Sequence, residues 1–428
     1  MTYRCLLAAL VSGALLFSLA GCDDSSTVGL GVGSDTLSGG QPQTVNAFPN
    51  VFETQSSTRA PITSNVTSAN NGHRILTGTV TDPVVGTITA RGHIDFGQPA
   101  SANSVASILS VDLVLEPEYR YGSTTDQQTI TVHDAVDEVI GGLPADTTAL
   151  GVGPQITSAS FTSPDTLVTV PLPESWVTAN GPTLLNADDG DNGYDATFNG
   201  LVLVPESGNH VMGFDRNSSQ LRVIAELDDG EQDTLRYPGS KSFSYIERSG
   251  TSTVPETSEL LLDGVGTQLI AALDFNDSLF QALGPVPVNR AEFVLPTDSS
   301  ALSASLPADF TRPDPGALLL RGELPDARTE PDDYFQGRNR TCVQLGLTTL
   351  QESCVFTIQE STNGYLASPA EFQRVVEQSL RETDTLFTRF VLEFGSAEPS
   401  ITPLLLRRPD PNRPNGSTRL QLTIVPQR

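Results

Sequence analysis

The sequence has few basic and few aromatic side chains. Its 428 residues include a single lysine, Lys241, among 24 basic residues, and only 6% are aromatic. The 51 acidic residues give a formal net charge of −27. Nucleic acids and anionic lipid headgroups are bound by clusters of basic side chains, so this composition argues against both partners. A saline habitat, in which salt screens the repulsion between acidic groups, is one explanation; replacement of lysine by arginine through genome composition is the other.

Motifs of hydrolytic enzymes are also absent. The sequence contains no G-x-S-x-G, no S-x-x-K and no H-E-x-x-H. The four histidines stand singly, and His133 and Asp134 are neighbours on a predicted strand, so their side chains point to opposite faces and cannot form a dyad. The sequence therefore predicts no catalytic residue and no enzyme.

Paired carboxylates give a weaker signal. With 51 acidic residues some carboxylates must lie roughly five to ten ångströms apart, as they do in glycosidases, so their presence identifies no site. Sugar binding also favours exposed aromatic side chains, whereas the only tryptophan, Trp176, is predicted to fill the edge of a core. A carbohydrate-binding or polysaccharide-hydrolysing envelope protein remains the alternative function.

No apolar run is long enough to span a bilayer. Residues 5–19 form an apolar run of about fifteen residues after a short positive start, and a spanning helix needs roughly twenty. This pattern predicts a signal peptide over residues 1–21. The run ends in Leu-Ala-Gly-Cys at 19–22, similar to the lipobox of bacterial lipoproteins, in which the cysteine thiolate takes a diacylglyceryl group. Cys22 is the predicted lipidation site; ordinary cleavage after Ala20 or Gly21 is the alternative.

The next segment predicts a tether. Residues 22–44 are rich in glycine, serine and aspartate and cannot bury enough apolar surface to fold. A flexible segment of this composition has a root-mean-square span of about 25 Å. The folded part would therefore stand clear of the membrane, to which the acyl group is the only predicted anchor.

Two further cysteines are available for a disulfide. Cys5 lies in the predicted signal peptide, so Cys342 and Cys354 remain as a pair in an exported chain. A bond between them would stabilise the fold by about 3 kcal/mol on the loop-entropy account. A catalytic thiol is the alternative, but no histidine is close in sequence.

The rest of the chain alternates apolar and polar residues with period two. Examples are residues 111–115, 221–227, 291–295 and 419–425, and they are separated by turns rich in the 30 prolines and 36 glycines. The pattern predicts a mainly β protein with two antiparallel β-sandwich-like domains. They are placed at 45–238 and 255–428, with a linker at 239–254 where the composition loosens.

One amphipathic helix is predicted in the second domain. Ser368-Pro369-Ala370-Glu371 is a capping box with proline at the first helical position. Phe372, Val375, Val376 and Leu380 then form an apolar stripe. Helix 369–381 should pack on a sheet as structural cover.

A weak calcium loop is the best candidate for a bound cofactor. Oxygen ligands crowd between glycines in one segment, at Asp188, Asp189, Asp191, Asn192 and Asp195. The spacing departs from the EF-hand because no glycine occupies the sixth place and no glutamate closes the loop. A solvated acidic loop is the alternative.

Four short segments, taken in order, resemble one family. Residues 78–90 carry a glycine followed by Asp-Pro and then glycine and alanine, and residues 111–122 end in a Tyr-Gly turn. Residues 198–204 match a Phe-x-Gly-Leu strand, and residues 288–293 match an Asn-Lys-Ala-Glu-Leu strand with arginine in place of lysine. The sequence resembles a family of Bacteroidota lipoproteins that carry a domain of unknown function.

The resemblance implies an exported, β-rich protein held at the outer membrane, and it brings no catalytic or binding residues with it. It also changes how Asp23 and Asp24 are interpreted. In enterobacterial sorting an aspartate after the lipidated cysteine resembles an inner-membrane retention signal, whereas in Bacteroidota-type lipoproteins acidic residues there resemble export signals. The expected location is the outer membrane, on its periplasmic or cell-surface face. The expected role is a structural or interaction module whose partner is an unknown envelope protein or glycan.

Overall fold

A computed structural model describes the parts of the chain that build the fold. These are residues 42–56, 74–99, 105–138, 151–162, 167–185, 193–264, 267–275, 278–283, 287–315, 318–323, 355–361, 364–367, 373, 376, 377, 380, 389–394 and 400–425. Cys22, Cys342, Cys354, Asp188, Asp189, Asp191 and Asn192 lie outside the described residues.

Twenty-two strands account for most of the described chain. The first eleven are β1 (Gln43–Ala47), β2 (Val51–Ser56), β3 (Arg74–Asp82), β4 (Gly86–Phe96), β5 (Val105–Ser123), β6 (Gln128–Ala135), β7 (Val152–Phe161), β8 (Val168–Pro171), β9 (Leu201–Ser207), β10 (His210–Leu227) and β11 (Gln232–Ser249). The others are β12 (Ser258–Leu262), β13 (Thr267–Ala272), β14 (Val288–Pro296), β15 (Phe310–Thr311), β16 (Leu318–Glu323), β17 (Val355–Thr357), β18 (Gln359–Ser361), β19 (Gly364–Ala367), β20 (Arg389–Phe394), β21 (Pro403–Arg407) and β22 (Arg419–Ile424).

Short helices lie between some of these strands. They are α1 (Glu174–Leu184), α2 (Tyr194–Thr197), α3 (Ser278–Leu283) and α4 (Ser299–Ser303), with a 3-10 turn at Pro414–Gly416. No helix of the described chain is long and apolar enough to cross a membrane.

The largest sheet has ten antiparallel strands. Its main path runs β15-β5-β10-β11-β4-β9-β6-β7, while β3 pairs with both β10 and β4, and β8 pairs with β5. The predicted alternation holds here, since Leu221, Val223 and Ala225 of β10 are buried on one face. That face and helices α1 and α2 enclose the helix-covered core, which includes Trp176 and Tyr237.

Two five-stranded sheets form a sandwich. Their orders are β1-β22-β14-β19-β18 and β17-β16-β20-β13-β2, and the pairs from β22 to β18 and from β17 to β2 are antiparallel. Side chains from both sheets meet in the sandwich core, for example Phe293 of β14 and Phe390 of β20, whose rings are 6.0 Å apart. The fold is mainly β with several antiparallel sheets, as predicted.

A two-stranded ribbon, β12 with β21, lies between these parts. Leu261 and Leu404 are cross-strand partners and enter the sandwich core. Leu260 and Leu405, the adjacent pair, point the other way into the ribbon core, against Leu76 and other residues of the largest sheet. Successive side chains of a strand face opposite sides, so three consecutive leucines on each strand suit a ribbon that is buried on both faces.

The predicted linker at 239–254 is wrong over its first eleven residues. Strand β11 continues to Ser249, and from Gly239 onward it pairs with β4 after pairing with β10 up to Pro238. A Cβ atom on Gly239 would lie 2.3 Å from the carbonyl oxygen of Arg216. The loose Pro-Gly-Ser composition therefore marks a change of partner strand and a close backbone approach.

The sheets do not follow the predicted division at 238 and 255. Strands β1 and β2 pair with β22 and β13 from the other half of the chain, and β15 pairs with β5. Thr44–Ile424 form one compact unit. Period-two patterns predict strands but carry no information about which distant strands pair, and this explains the difference.

The described residues of the predicted helix 369–381 are helical. Val376 is buried in the sandwich core and Leu380 packs against it. Polar neighbours hold the first residue of β14: Gln373 donates to the Val288 carbonyl (2.6 Å), and the Val288 amide donates to Glu377 (3.2 Å). The remaining residues of this helix lie outside the described residues.

A matched pair of glycines tests the close packing of the largest sheet. Gly200 (φ +84°) and Gly230 (φ +85°) have the same left-handed backbone, but a Cβ atom on Gly200 would lie 2.2 Å from the Ile94 carbonyl oxygen, whereas one on Gly230 meets nothing within 4 Å. We expect Gly200→Ala to lower the free energy of unfolding by more than about 3 kcal/mol, because a backbone clash adds to the left-handed penalty. Gly230→Ala should cost about 1 kcal/mol. Urea unfolding of both variants measures this, and equal losses would contradict it.

Candidate functional site

Three of the clusters of buried ionisable groups in the described residues are the candidates for chemistry. Each is centred on an aspartate: Asp82, Asp95 or Asp263. What each cluster can do depends on how many of its polar atoms are already paired and on whether its carboxylate is accessible.

Asp82 forms the most completely bonded cluster. It is the last residue of β3 and begins the Asp-Pro turn, and its Oδ1 accepts from the amides of Val84 (2.8 Å) and Val85 (3.0 Å). Arg312 donates to both carboxylate oxygens, with Nε 2.6 Å from Oδ2 and Nη2 2.7 Å from Oδ1. Tyr121 adds a bond of 2.7 Å from its hydroxyl to Oδ2. Five donors leave this carboxylate no lone pair for a substrate.

Electrostatics fix the charge of this cluster. Burial alone would raise the pKa of Asp82, but the hydrogen bonds from Arg312 and Tyr121 outweigh it and hold the pKa below its ordinary value of 3.8. The carboxylate is therefore ionised whenever the protein is folded near neutral pH. Since Arg312 and Asp82 are 230 residues apart in sequence, the ion pair joins β3 to the segment after β15.

Asp263 joins the segment after β12 to the segment before β21, at one end of the ribbon. It follows β12, accepts from the Gly264 amide (2.9 Å) and accepts a hydrogen bond from the Ser400 hydroxyl. Burial raises the pKa of this carboxyl to about 6, and the two hydrogen bonds oppose that rise only partly. Next to it, Tyr119 donates to the Ile401 carbonyl (2.8 Å) and accepts from the Ile401 amide (3.0 Å). Both hydrogen bonds fix the backbone of Ile401, two residues before β21 begins.

Asp95 differs from the other two because a lysine is its charged partner. Asp95 lies near the end of β4, and Lys241 lies opposite it on β11. The Lys241 Nζ is 3.6 Å from Asp95 Oδ2 and 2.6 Å from Glu138 Oε1, and Glu138 follows β6. Burial raises the pKa of Asp95 to about 6, with a smaller rise from the negative charge of Asp195. Among the described clusters, this one has the most reactive combination of groups.

The buried aromatic side chains do not form a sugar platform. Trp176 is buried, as predicted, and its indole N–H donates to Asp134 Oδ1 (2.8 Å). Tyr194 and Phe198 pack against each other in the same core, with ring centroids 5.4 Å apart. Within the described ranges, the exposed large hydrophobic side chains are aliphatic: Val51, Leu109, Val136 and Leu167.

Sequence reasoning did not find the three aspartate clusters. Of the predicted calcium ligands, only Asp195 is described; it is exposed on α2. In the described ranges, no three His, Cys, Asp or Glu side chains are grouped to hold a metal ion. The cysteine predictions fall outside the described residues. The sequence does single out Lys241, because it is the only lysine among arginines. By contrast, nothing near Asp82 in the sequence indicates Arg312 as its partner.

The buried ion pair should stabilise the fold far more than a surface pair. Arg312→Met leaves the buried Asp82 carboxylate without its charged partner, so we expect the free energy of unfolding to fall by about 3–5 kcal/mol. Arg222→Met is the control, since its pair with Asp112 at 2.8 Å is partly exposed and should contribute under about 1 kcal/mol. Urea unfolding at neutral pH compares them; a similar small loss in both would mean that the Asp82 pair does not hold the fold.

Asp263 should make stability fall as pH rises. A carboxyl whose folded pKa is about 6, above its ordinary 3.8, favours the protonated folded state, so its stabilisation is present below 3.8 and is lost as pH rises through 6. Asp263→Asn cannot ionise and can still bond Ser400 and Gly264. We expect the variant to exceed the wild type in unfolding free energy by about 2 kcal/mol at pH 8 and to match it near pH 4.

Asp298 supplies the control of opposite sign. Burial raises its pKa, but hydrogen bonds from Ser258, Ser300 and the Ala301 amide outweigh this and lower the pKa below 3.8. Asp298→Asn should therefore destabilise at pH 8. Thermal unfolding across pH 4 to 8 measures both variants, and a stabilised Asp298→Asn or a destabilised Asp263→Asn would contradict this account.

Comparison with known proteins finds no relative of the chain. No family model matches the chain, and neither a curated protein nor a solved structure is significantly similar to it.

Proposed function

We propose that this chain is a lipid-anchored lipoprotein of the cell envelope, held at the outer membrane through Cys22, and that it acts as a non-catalytic structural or interaction module. The observation that carries the proposal is the Leu-Ala-Gly-Cys motif at 19–22, directly after an apolar run of signal-peptide length. The resemblance to Bacteroidota lipoproteins supports the outer membrane as the location.

The clusters of the described residues support a structural role. The carboxylate oxygens of Asp82 and Asp263 accept hydrogen bonds that join segments far apart in sequence. The carboxyl groups with raised pKa values, Asp95 and Asp263, are both buried, so a polysaccharide could not reach them in this fold. Among the described residues, no observation favours the alternative of a carbohydrate-binding or polysaccharide-hydrolysing protein.

Membrane attachment is tested by replacing the predicted lipidated cysteine. Full-length wild type, Cys22→Ser and the control Cys5→Ser are expressed in a diderm bacterium and labelled metabolically with an alkyne fatty acid. We expect label and membrane-fraction recovery for the wild type and Cys5→Ser, and loss of both in Cys22→Ser, because only the thiolate of Cys22 can carry the acyl group.

Two outcomes would contradict the proposal. Labelling of Cys22→Ser at the wild-type level would exclude Cys22 as the anchor. For the module role, affinity capture of the lipidated chain from solubilised envelope should recover a partner in fixed ratio that is absent with an unfolded control; recovery of the chain alone would exclude the interaction role.

A further inference from the structure

Three side chains, two from neighbouring strands and one from a loop segment, converge at the Asp95 cluster. Asp95 on β4 and Lys241 on β11 are directly opposed across the sheet, and Glu138 approaches the lysine from the segment after β6. The lysine nitrogen lies between the two carboxyl groups, 3.6 Å from Asp95 and 2.6 Å from Glu138. This is the arrangement of a nucleophile, an electrophilic carboxyl group and a proton carrier.

The burial of these three residues is graded. The side chain of Asp95 is 9% exposed, that of Lys241 30%, and that of Glu138 46%. Asp95 is therefore the desolvated member, and it is protonated at a higher pH than an ordinary aspartate. Its other oxygen, Oδ1, accepts the Phe96 amide at 2.8 Å, which orients the carboxyl group. Glu138, the most exposed member, can exchange protons with solvent.

Backbone packing fixes the position of Asp95 from the other side. Gly200 has a left-handed backbone, and a Cβ atom placed on it would lie 2.8 Å from the Asp95 Cα. The absence of a side chain at Gly200 lets the two backbones approach closely. Asp95 is thereby held in the sheet while its carboxyl group faces Lys241.

The choice of lysine at this position is not explained by charge. Every other basic residue of the chain is arginine, and an arginine opposite a buried aspartate would form two parallel hydrogen bonds, as Arg312 does with Asp82. A lysine makes a weaker, single contact here. It differs from arginine in one chemically important way, since its amine, once deprotonated, is a nucleophile.

We propose that Lys241 and Asp95 join in an intramolecular isopeptide bond, with Glu138 as the proton carrier. The product is an amide between the Lys241 Nζ and the Asp95 Cγ. It covalently links β4 to β11 and closes a loop that contains β5 to β10. The resulting crosslink is a modification of the chain by its own residues and needs no cofactor.

The reaction balances without an oxidant or reductant. Asp95 takes a proton from solvent, and the Lys241 ammonium gives a proton to Glu138. The free amine attacks Cγ of Asp95, so a C–N bond forms. Glu138 returns its proton to the hydroxyl group, whose C–O bond breaks as water leaves, and the nitrogen releases its extra proton to solvent. Ammonium and carboxylate thus become an amide and one water molecule.

Glu138 is needed because the folded protein favours the ammonium form. Burial lowers the pKa of Lys241, but the hydrogen bond from its ammonium to Glu138 and the charges of Asp95 and Glu138 outweigh burial and raise it. An unaided lysine would therefore remain protonated. The short contact with Glu138 gives the proton a direct acceptor.

Mass spectrometry of the purified full-length wild type tests the proposal without a variant. We expect the peptides that contain Asp95 and Lys241 to be recovered joined, at their summed mass less one water molecule. Because Lys241 is the only lysine, an amine-reactive label applied to the denatured chain should modify no lysine. Recovery of the Lys241 peptide with a free, labelled amine, alongside unmodified Asp95, would overturn the proposal.

Two variants separate the crosslink from an ordinary ion pair. Lys241→Arg keeps the positive charge but cannot form the amide, so the joined peptide should disappear and the melting temperature should fall. Glu138→Gln keeps Lys241 and Asp95 and alters an exposed residue, so the chain should fold with Lys241 free or only slowly joined. Full crosslinking of Glu138→Gln would exclude Glu138 as the proton carrier, and an unchanged wild-type mass would exclude the bond itself.

Discussion

The buried ribbon of β12 and β21 is the constraint on which the rest of the structure depends. Its leucines alternate between two cores, so each strand is buried on both faces, and a ribbon with one polar face would leave one core open. The cross-strand pairs Leu260–Leu405 and Leu261–Leu404 show that the register decides which core each side chain enters. A slip of one residue would exchange them. The large sheet and the sandwich therefore share one structural element, and neither can be packed independently of it.

Buried hydrogen bonds and ion pairs fix the positions of segments that the hydrophobic packing of the ribbon alone would not fix. Hydrophobic contact is not directional, whereas a carboxylate with several donors accepts only one arrangement. Asp263 and Tyr119 hold the chain at one end of the ribbon, through Ser400 and Ile401, and Asp82 holds β3 to the segment after β15. These buried groups cost desolvation energy, which their hydrogen bonds must recover. Fixed geometry of this kind keeps the loops that leave the sheets in constant positions.

Sequence reasoning predicted the strands where a local pattern decides the structure. The alternation at Leu221, Val223 and Ala225 gave one face of β10 correctly, and Trp176 was placed in a core. Helix α1 was missed, because its sequence contains Gly181 and Pro182 and has little helical propensity; packing of its buried residues stabilises it. The strand pairing between chain halves and the Asp82 cluster could not be predicted, since their partners lie hundreds of residues apart and no local pattern encodes that contact.

The distribution of basic residues connects composition with chemistry. In an acidic chain any cation can offset charge, and arginine does so at Asp82, Asp112 and Asp298. Electrostatics alone would place arginine opposite Asp95 too, because its planar group pairs with a carboxylate better than an ammonium does. The chain uses its single lysine there, beside a desolvated acid and a second carboxylate that can carry a proton. Lys241 therefore differs from the arginines of the chain in the reactivity of its amine. Because Lys241 is the only lysine, the proposed amide can be detected at this one residue.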